Sequence, residues 1–298
     1  MEFSFSFTEI LLFHFFYAIL PLVIDMYNYE QTEKISVEHG AKMLSFEMPM
    51  MHTHACHELY FLVSGQRRYL IGSDLFDVSP GNIILVPSGH LHRTSTINAK
   101  GHSRYVVYFS QGYMEDFIDL IGREAFDGLL EKRCIQVPEH LVSTIHELLR
   151  RMDQTQKQNL PYAPAALKTD LQQILLYLLR HGEQKVNNAS PSASKIQEAA
   201  QYIAEHYQEE LSLADVAAVA CMEKTYFCKC FKTITGFGFS EYLTRVRMQA
   251  AESLLLKTDL SVSEIASQCG FSGSNYFGDL FHRCYGISPS MYRRRNRT

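Results

Sequence analysis

The spacing of apolar positions changes twice along this chain, and each change marks a different kind of element. Between Ser36 and Phe109 apolar and polar residues alternate with a period near two, which predicts β-strands. The runs 42–47, 59–63, 68–71, 82–86 and 105–109 are the candidate strands. Gly65, Gly72-Ser73-Asp74, Ser79-Pro80-Gly81 and Pro87-Ser88-Gly89 break them apart. Short, evenly spaced strands with turn residues between them predict a small barrel or jelly roll. The period then lengthens to that of a helix. Leu141, Val142, Ile145, Leu148, Leu149 and Met152 form one stripe, and Leu167, Leu171, Ile174, Leu175, Leu178 and Leu179 another, opened by Pro161 and Pro164. Such stripes build a core or a dimer surface.

Residues 183–194 are polar and rich in turn formers, and they read as a linker. Beyond it Ile196, Ala199, Ala200, Ile203 and Tyr207 begin a helical region that contains one unit twice. Ser212, Val216 and Ala217 return as Ser261, Ile265 and Ala266, 49 positions later. Tyr226, Phe227, Phe231, Gly236 and Tyr242 return as Tyr276, Phe277, Phe281, Gly286 and Tyr292, 50 positions later. Each copy predicts two short helices around a tight turn. Ser261 with Glu264 makes a capping box, and Ser212 with Asp215 a weaker one. Gly270 stands where the turn wants positive φ, and the first copy has Cys221 there, which is less comfortable. The second helix of each copy is expected to bury Tyr226-Phe227 with Phe231, or Tyr276-Phe277 with Phe281. Gly236 and Gly286 then terminate it.

Two helices around a short turn predict a helix-turn-helix, whose second helix enters the DNA major groove. A helix over 240–257 joins the copies and is about 25 Å long at ~1.5 Å per residue. That length suits two recognition helices about one DNA turn, ~34 Å, apart. The segment resembles the C-terminal domain of AraC/XylS-type bacterial transcription regulators. The resemblance covers residues 195–295. It rests on Phe231-Lys232, Gly236, Phe239-Ser240-Glu241-Tyr242-Leu243, Arg247, Ala250-Ala251, Leu254-Leu255, Ile265-Ala266, Gly270-Phe271, Tyr276-Phe277, Gly286 and Ser288-Pro289. It implies a pair of helix-turn-helix units reading adjacent major grooves.

Charge placement fits this reading. The whole chain carries −4, but residues 224–298 hold 11 Lys/Arg against 5 Asp/Glu, a balance of +6 that leaves −10 on the remainder. A basic end on an acidic chain suits one domain that meets phosphate and one that does not. Arg293-Arg294-Arg295 with Arg297 could equally be a solvated tail. The seven cysteines lack a regular ligand spacing and read as reduced thiols of a cytoplasmic protein. At 298 residues the chain predicts an α+β protein in two domains. An apolar extension (1–25) precedes an effector-binding and dimerisation domain (26–182), the linker and the DNA-binding domain (195–298). Residues 3–24 are apolar, but His14 and Pro21 interrupt them, so each run is shorter than the ~20 residues a membrane span needs. A membrane partner is therefore not expected.

The strand-rich half carries a second resemblance. His52-Thr53-His54, Glu58 and Gly65 have the spacing of the first cupin motif, and Gly81, Pro87-Ser88-Gly89 and His92 that of the second. The asparagine expected a few positions later is absent, and Thr96 stands there. Cupin barrels are what many AraC-type regulators carry N-terminally. His52, His54 and Glu58 share parity, so in an extended chain they face one side, and His92 arrives from a later strand. Three imidazoles and a carboxylate could hold a divalent metal such as Fe(II), Mn(II), Ni(II) or Zn(II). They could equally be a polar lining that hydrogen-bonds a small effector. Tyr60, Arg68 and Arg104 are further candidates for that lining, whereas His57 and His90 read as surface residues.

The family pattern places Thr225, Cys228 and Lys229 toward bases on the first recognition helix, and Ser274, Asn275 and Asp279 on the second. Lys224, Lys232 and Arg283 would meet phosphate. Lys229 suits guanine and Asn275 adenine. Asp279 and His282 stand where the family usually has basic residues, so the first helix is expected to contribute more affinity. The expected function is a sequence-specific transcription regulator that binds promoter DNA, a small effector (a sugar is one candidate), RNA polymerase and a second copy of itself. The alternative is a metal-dependent cupin enzyme with a helical appendage.

Overall fold

Strand β2 (His57–Ser64) is the centre of the N-terminal half, because its two faces serve two different cores. A computed structural model of the chain describes residues 35–42, 52–97, 101–185 and 191–296. Six strands make the larger sheet in the order β1-β7-β2-β5-β8-β9: β1 (Ile35–Lys42), β7 (His102–Phe109), β2, β5 (Asn82–Val86), β8 (Cys134–Gln136) and β9 (Glu183–Gln184). Three strands make the smaller sheet in the order β4-β3-β6: β4 (Asp74–Val78), β3 (Arg67–Ile71) and β6 (His92–Thr96). All pairings are antiparallel.

Side-chain alternation along β2 sorts the cores. Leu59 and Phe61 point to one face, where they join Ile83, Leu85, Tyr105, Val107 and Phe109. Four helices cover that face: α1 (Glu115–Ile121), α2 (Arg123–Glu131), α3 (Glu139–Lys157) and α4 (Ala163–His181). The two leucine-rich stripes are the buried edges of α3 and α4, with Ile145, Leu149, Leu171 and Ile174 all fully buried. At about 1.5–3 kcal/mol per buried large aliphatic side chain, this seam is a main source of the unit's stability. Tyr60 and Leu62 point to the other face and meet Tyr69, Ile71, Phe76 and Val78 of the smaller sheet.

The expected barrel does not close among the described residues. The free edge of β5 is taken by β8 rather than by β4, so the two sheets remain separate ladders facing each other. An isolated bridge pairs His52, from the segment before β2, with His92 of β6, and the Tyr69 hydroxyl of β3 donates to Glu58 of β2 at 2.9 Å. Strand β1 spans 35–42, earlier than the predicted 42–47, and residues 43–51 lie outside the described residues, as does the apolar segment 1–25. Strands β4, β6, β8 and β9 were not foreseen. Among the described residues no helix is long and apolar enough to cross a membrane.

The C-terminal repeat forms as read. Helix α5 (Pro191–His206) starts inside the predicted linker. The first unit is α6 (Leu213–Val219) with α7 (Lys224–Thr235), and the second is α9 (Val262–Gln268) with α10 (Ser274–Tyr285). Between them runs α8 (Phe239–Lys257), and α11 (Pro289–Asn296) follows. Both capping boxes are complete, Ser212 with Asp215 and Ser261 with Glu264. Gly236 and Gly286 end α7 and α10 in the left-handed conformation. Cys221 and Gly270 occupy the two inner turns at φ 50° and 76°.

Two compact units divide the described residues. The larger holds residues 35–206 with 211–243, the smaller 207–210 with 244–296. In the larger unit the first helix-turn-helix rests on the smaller sheet. Tyr242 is fully buried, and its hydroxyl donates to the Gly72 carbonyl at 2.9 Å. The Arg93 side chain lies over Gly236, where any Cβ would collide with it. In the smaller unit Phe271, Phe277 and Phe281 pack against Met248, Ala251, Leu255 and Ile265. Glu252 accepts hydrogen bonds from Tyr285, at 2.9 Å, and from Tyr292.

Candidate functional site

Two groups of residues could carry function: a polar cluster between the sheets and the outward faces of α7 and α10. The cluster is built by backbone pairing. His52 and His92 exchange backbone N–H···O bonds of 3.0 Å in both directions, and Gly89 N–H donates to the His54 carbonyl at 2.9 Å. These bonds fold the segment 52–56 back over β6. The segment is not one extended strand, so equal parity is not what gathers the histidines; the turn at Ala55-Cys56 and the bridge to β6 do so.

The result is that His52, His54, Glu58 and His92 are all buried, with one potential ligand atom from each lying within 4.8 Å of the others. His54 Nε2 stands 3.2 Å from Glu58 Oε2, and His92 Nε2 3.4 Å from the same oxygen. The other ring nitrogens face backbone: Nδ1 of His54 donates to the Cys56 carbonyl at 2.7 Å, and Nδ1 of His92 to the His90 carbonyl at 2.8 Å. Tyr69 donates its hydroxyl to Glu58 Oε1 at 2.9 Å. Tyr108 closes the wall, with its ring 5.3 Å from that of His54. Burial works against ionisation of Glu58, but hydrogen bonds and charge from His54 and His92 hold its carboxyl well below the usual range. Burial likewise opposes protonation of His54, yet its bonds to Cys56 and Glu58 carry its pKa up to about 10. Burial, with the Glu58 charge beside it, pushes the Tyr69 phenol well up, so it remains a donor.

The rest of the expected lining is sorted by strand parity. Tyr60 faces the interior fully buried, and burial raises its phenol to about 12 against the pull of Arg67 and Arg104. Arg104 points to the same side and lies against Gly40 of β1. Arg68 does not face the interior. It sits on the outer face of β3, bidentate to Asp77 at 2.6 and 2.8 Å, because Tyr69 and Ile71 take the inward positions. The inward arginine is Arg67, fully buried and donating to Thr94 at 3.2 Å and Thr96 at 2.8 Å. Thr96 thus acts where an asparagine was expected. His57 is also a correction. It is buried on the helix side between Phe109 and Phe126 and accepts from Ser88 N–H, and burial lowers its pKa to about 4. A separate groove of about 640 Å³ lies beside α3, lined by Phe61, Val63, Pro80, Val142 and His146, and it includes none of the four cluster residues.

Helix α7 is anchored by Phe227 and Phe231, both fully buried. Its opposite face exposes Lys224, Thr225, Cys228, Lys229 and Lys232. The Glu223 carboxylate caps it, accepting from Thr225 N–H at 2.8 Å and Tyr226 N–H at 3.1 Å. Helix α10 is anchored by Phe277 and Phe281 and exposes Asn275, Asp279 and Arg283, with Ser274 half-buried. Tyr226 and Tyr276 were expected inside. They are 55% and 51% exposed, one position off the phenylalanine stripe, and they add two hydroxyls to the outward faces. The sign of this error was readable: 100° per residue separates neighbours in a helix, so Tyr226 and Phe227 cannot both be central to one buried stripe.

Comparison with known proteins agrees with this division. Residues 44–175 match the AraC-like ligand binding domain family, and residues 195–295 match a helix-turn-helix domain family. The chain is 22% identical over 278 residues to the HTH-type transcriptional activator RhaR of Mannheimia succiniciproducens, covering 89% of this chain and 98% of that one. It is 32% identical over 219 residues to the HTH-type transcriptional regulator YijO of Escherichia coli, covering 72% and 74%. Among solved structures, the C-terminal domain of the response regulator AraT from Geobacillus stearothermophilus is 34% identical, with 38% of this chain and 91% of that one covered at a TM-score of 0.35. With a ligand-binding half, a duplicated helix-turn-helix half and a relative of this identity along most of its length, the chain belongs to the AraC family of helix-turn-helix transcription regulators.

Proposed function

We propose that this regulator reads promoter DNA with the exposed faces of α7 and α10 and takes its effector between the two sheets of the N-terminal half. The observation that carries the reading is the sidedness of α7. Phe227 and Phe231 are fully buried while Lys224, Lys229 and Lys232 stand in solvent. That arrangement costs nothing in packing and presents three cations to phosphate or base edges. Lys229 and Asn275 serve as the base readers, with Thr225, Cys228, Ser274 and Asp279 beside them. Lys224, Lys232, Arg283 and the tyrosine hydroxyls hold the backbone.

Effector occupancy reaches α7 through β6. His92 of that strand points into the cluster, and its neighbour Arg93 lies over Gly236 at the end of α7. A shift of β6 on binding therefore moves the support of the first recognition helix. The regulator works in the cytoplasm as a homodimer and, like the relative named an activator, raises transcription through RNA polymerase. Fluorescence anisotropy on the DNA upstream of its own gene tests the recognition face. Lys229→Ala should weaken specific binding by about 1–3 kcal/mol. Unchanged affinity and unchanged sequence preference would reject the assigned face.

A further inference from the structure

We propose that the second recognition helix, α10, seats its backbone directly against the DNA, with Gly273 and Gly278 as the points of closest approach. The inference rests on the DNA-reading faces proposed above and assigns the deeper entry to one of them. It starts from a difference between the two repeats. Gly273 and Gly278 stand where the first unit has Glu223 and Cys228, 50 positions earlier.

Neither glycine has a cause inside the protein. Gly278 lies within α10, and among the described residues a Cβ on it would meet no atom within 4 Å outside its own helix backbone. Its backbone is helical and not left-handed, so alanine would fit. A glycine in a helix interior weakens the folding equilibrium about two- to fivefold relative to alanine. Nothing packed against Gly278 offsets that loss. Gly273 is the N-cap of α10, in extended backbone at φ −178°, and a Cβ there also meets open space. It leaves the first-turn N–H groups without a side-chain cap, whereas the Glu223 carboxylate takes those of α7.

The positions of both residues point to the duplex. Neighbours stand 100° apart round a helix, which puts Gly278 on the flank between buried Phe277 and exposed Asp279. A helix with its side chains is about 10–12 Å across and the major groove about 12 Å wide, so a helix flank meets the sugar-phosphate wall. A missing side chain on that flank lets the backbone close on the wall. The uncapped first-turn amides beside Gly273 then donate to a phosphate, aided by the helix dipole. Closer seating also accounts for Asp279. At the groove rim its carboxylate would face phosphates, but at base depth it accepts from a cytosine amino group. Helix α7, with Cys228 on the flank and three exposed lysines, holds the duplex mainly by charge.

The test uses full-length protein, the duplex that wild type selects from a randomised pool, and a scrambled duplex of the same composition. Gly278→Ala should raise exchange protection in residues 274–285 about two- to fivefold, because alanine is the better helix former. It should also weaken binding to the selected duplex about tenfold or more, with the scrambled duplex within about twofold of wild type. Stability and affinity moving in opposite directions is a signature that a purely structural role does not produce. Gly273→Glu should weaken both duplexes by about two- to fivefold at low salt. Gly128→Ala is the control. Gly128 also lies inside a helix, α2, with open space around it, so protection should rise in residues 123–131 with both affinities unchanged. A Gly278→Ala chain that binds the selected duplex as tightly as wild type overturns the proposal. Lost protection in residues 274–285 overturns it too, since the glycine would then serve the fold. A wild-type chain that selects no duplex removes the DNA reading itself, and this inference with it.

Discussion

Gly270→Ala has a magnitude that can be built from its surroundings. At φ 76° the backbone is left-handed, where a side chain costs about 1–2 kcal/mol. The new Cβ would also sit 2.7 Å from the Gln208 carbonyl oxygen, 2.9 Å from that of Tyr207 and 3.0 Å from Arg247 Nη2. Those oxygens cannot swing away freely, because Arg247 clamps the segment by donating to Tyr207 O and Glu209 O at 2.7 Å each. Overpacking of this kind adds about 1–3 kcal/mol. Lower unfolded-state entropy returns about 0.4–1 kcal/mol, which leaves a net loss of roughly 2–4 kcal/mol. The equivalent turn of the first unit gives the opposite sign. Cys221 adopts φ 50° while exposed, so Cys221→Gly relieves about 1–2 kcal/mol of strain and forfeits about 0.5–1 kcal/mol of entropy. Hydrogen exchange on the full-length chain reads each unit separately. Gly270→Ala should cut protection in residues 262–285 by about thirtyfold to a thousandfold, at about 1.4 kcal/mol per decade, and Cys221→Gly should raise it slightly in 213–235. Protection within threefold of wild type for Gly270→Ala would refute the reasoning.

Other outcomes follow from single contacts. Tyr242→Phe removes the hydroxyl from the Gly72 carbonyl and should cost about 1–3 kcal/mol, seen as a lower melting temperature and faster proteolysis of 211–243. Glu252→Ala strands the hydroxyls of Tyr285 and Tyr292 and should destabilise the second unit by about as much, seen as lost exchange protection in 274–296. Lys232→Ala should weaken binding to all sequences alike and reduce the slope of log affinity against log salt by about one, measured by anisotropy across a salt series.

The helical half was legible because it repeats itself. Capping serines, turn glycines and paired phenylalanines recur at fixed offsets, and each is a local rule that the fold obeys. The misplaced tyrosines show the limit of reading adjacent aromatics as a pair: helix geometry buries one and exposes its neighbour. The strand-rich half was harder, because its decisive contacts are not local. Strand β6 reads His92-Arg93-Thr94-Ser95-Thr96, a polar run that no pattern marks as buried, yet four of its five residues are buried. Its burial comes from pairing with β3, whose register was ambiguous because Arg67 and Arg68 are adjacent and Tyr69-Leu70-Ile71 does not alternate. That ambiguity is why Arg68 rather than Arg67 was expected inside. The cluster residues themselves were found from motif spacing, although a turn and a strand bridge, not extended parity, gather them.

Selection from a randomised duplex pool tests the central claim most directly. Wild-type protein should enrich a defined sequence, with Lys229→Ala relaxing preference at a guanine position and Asn275→Ala at an adenine position of that motif. Enrichment of no motif, or a motif unchanged in both variants, would contradict the assignment of α7 and α10 as the elements that read DNA.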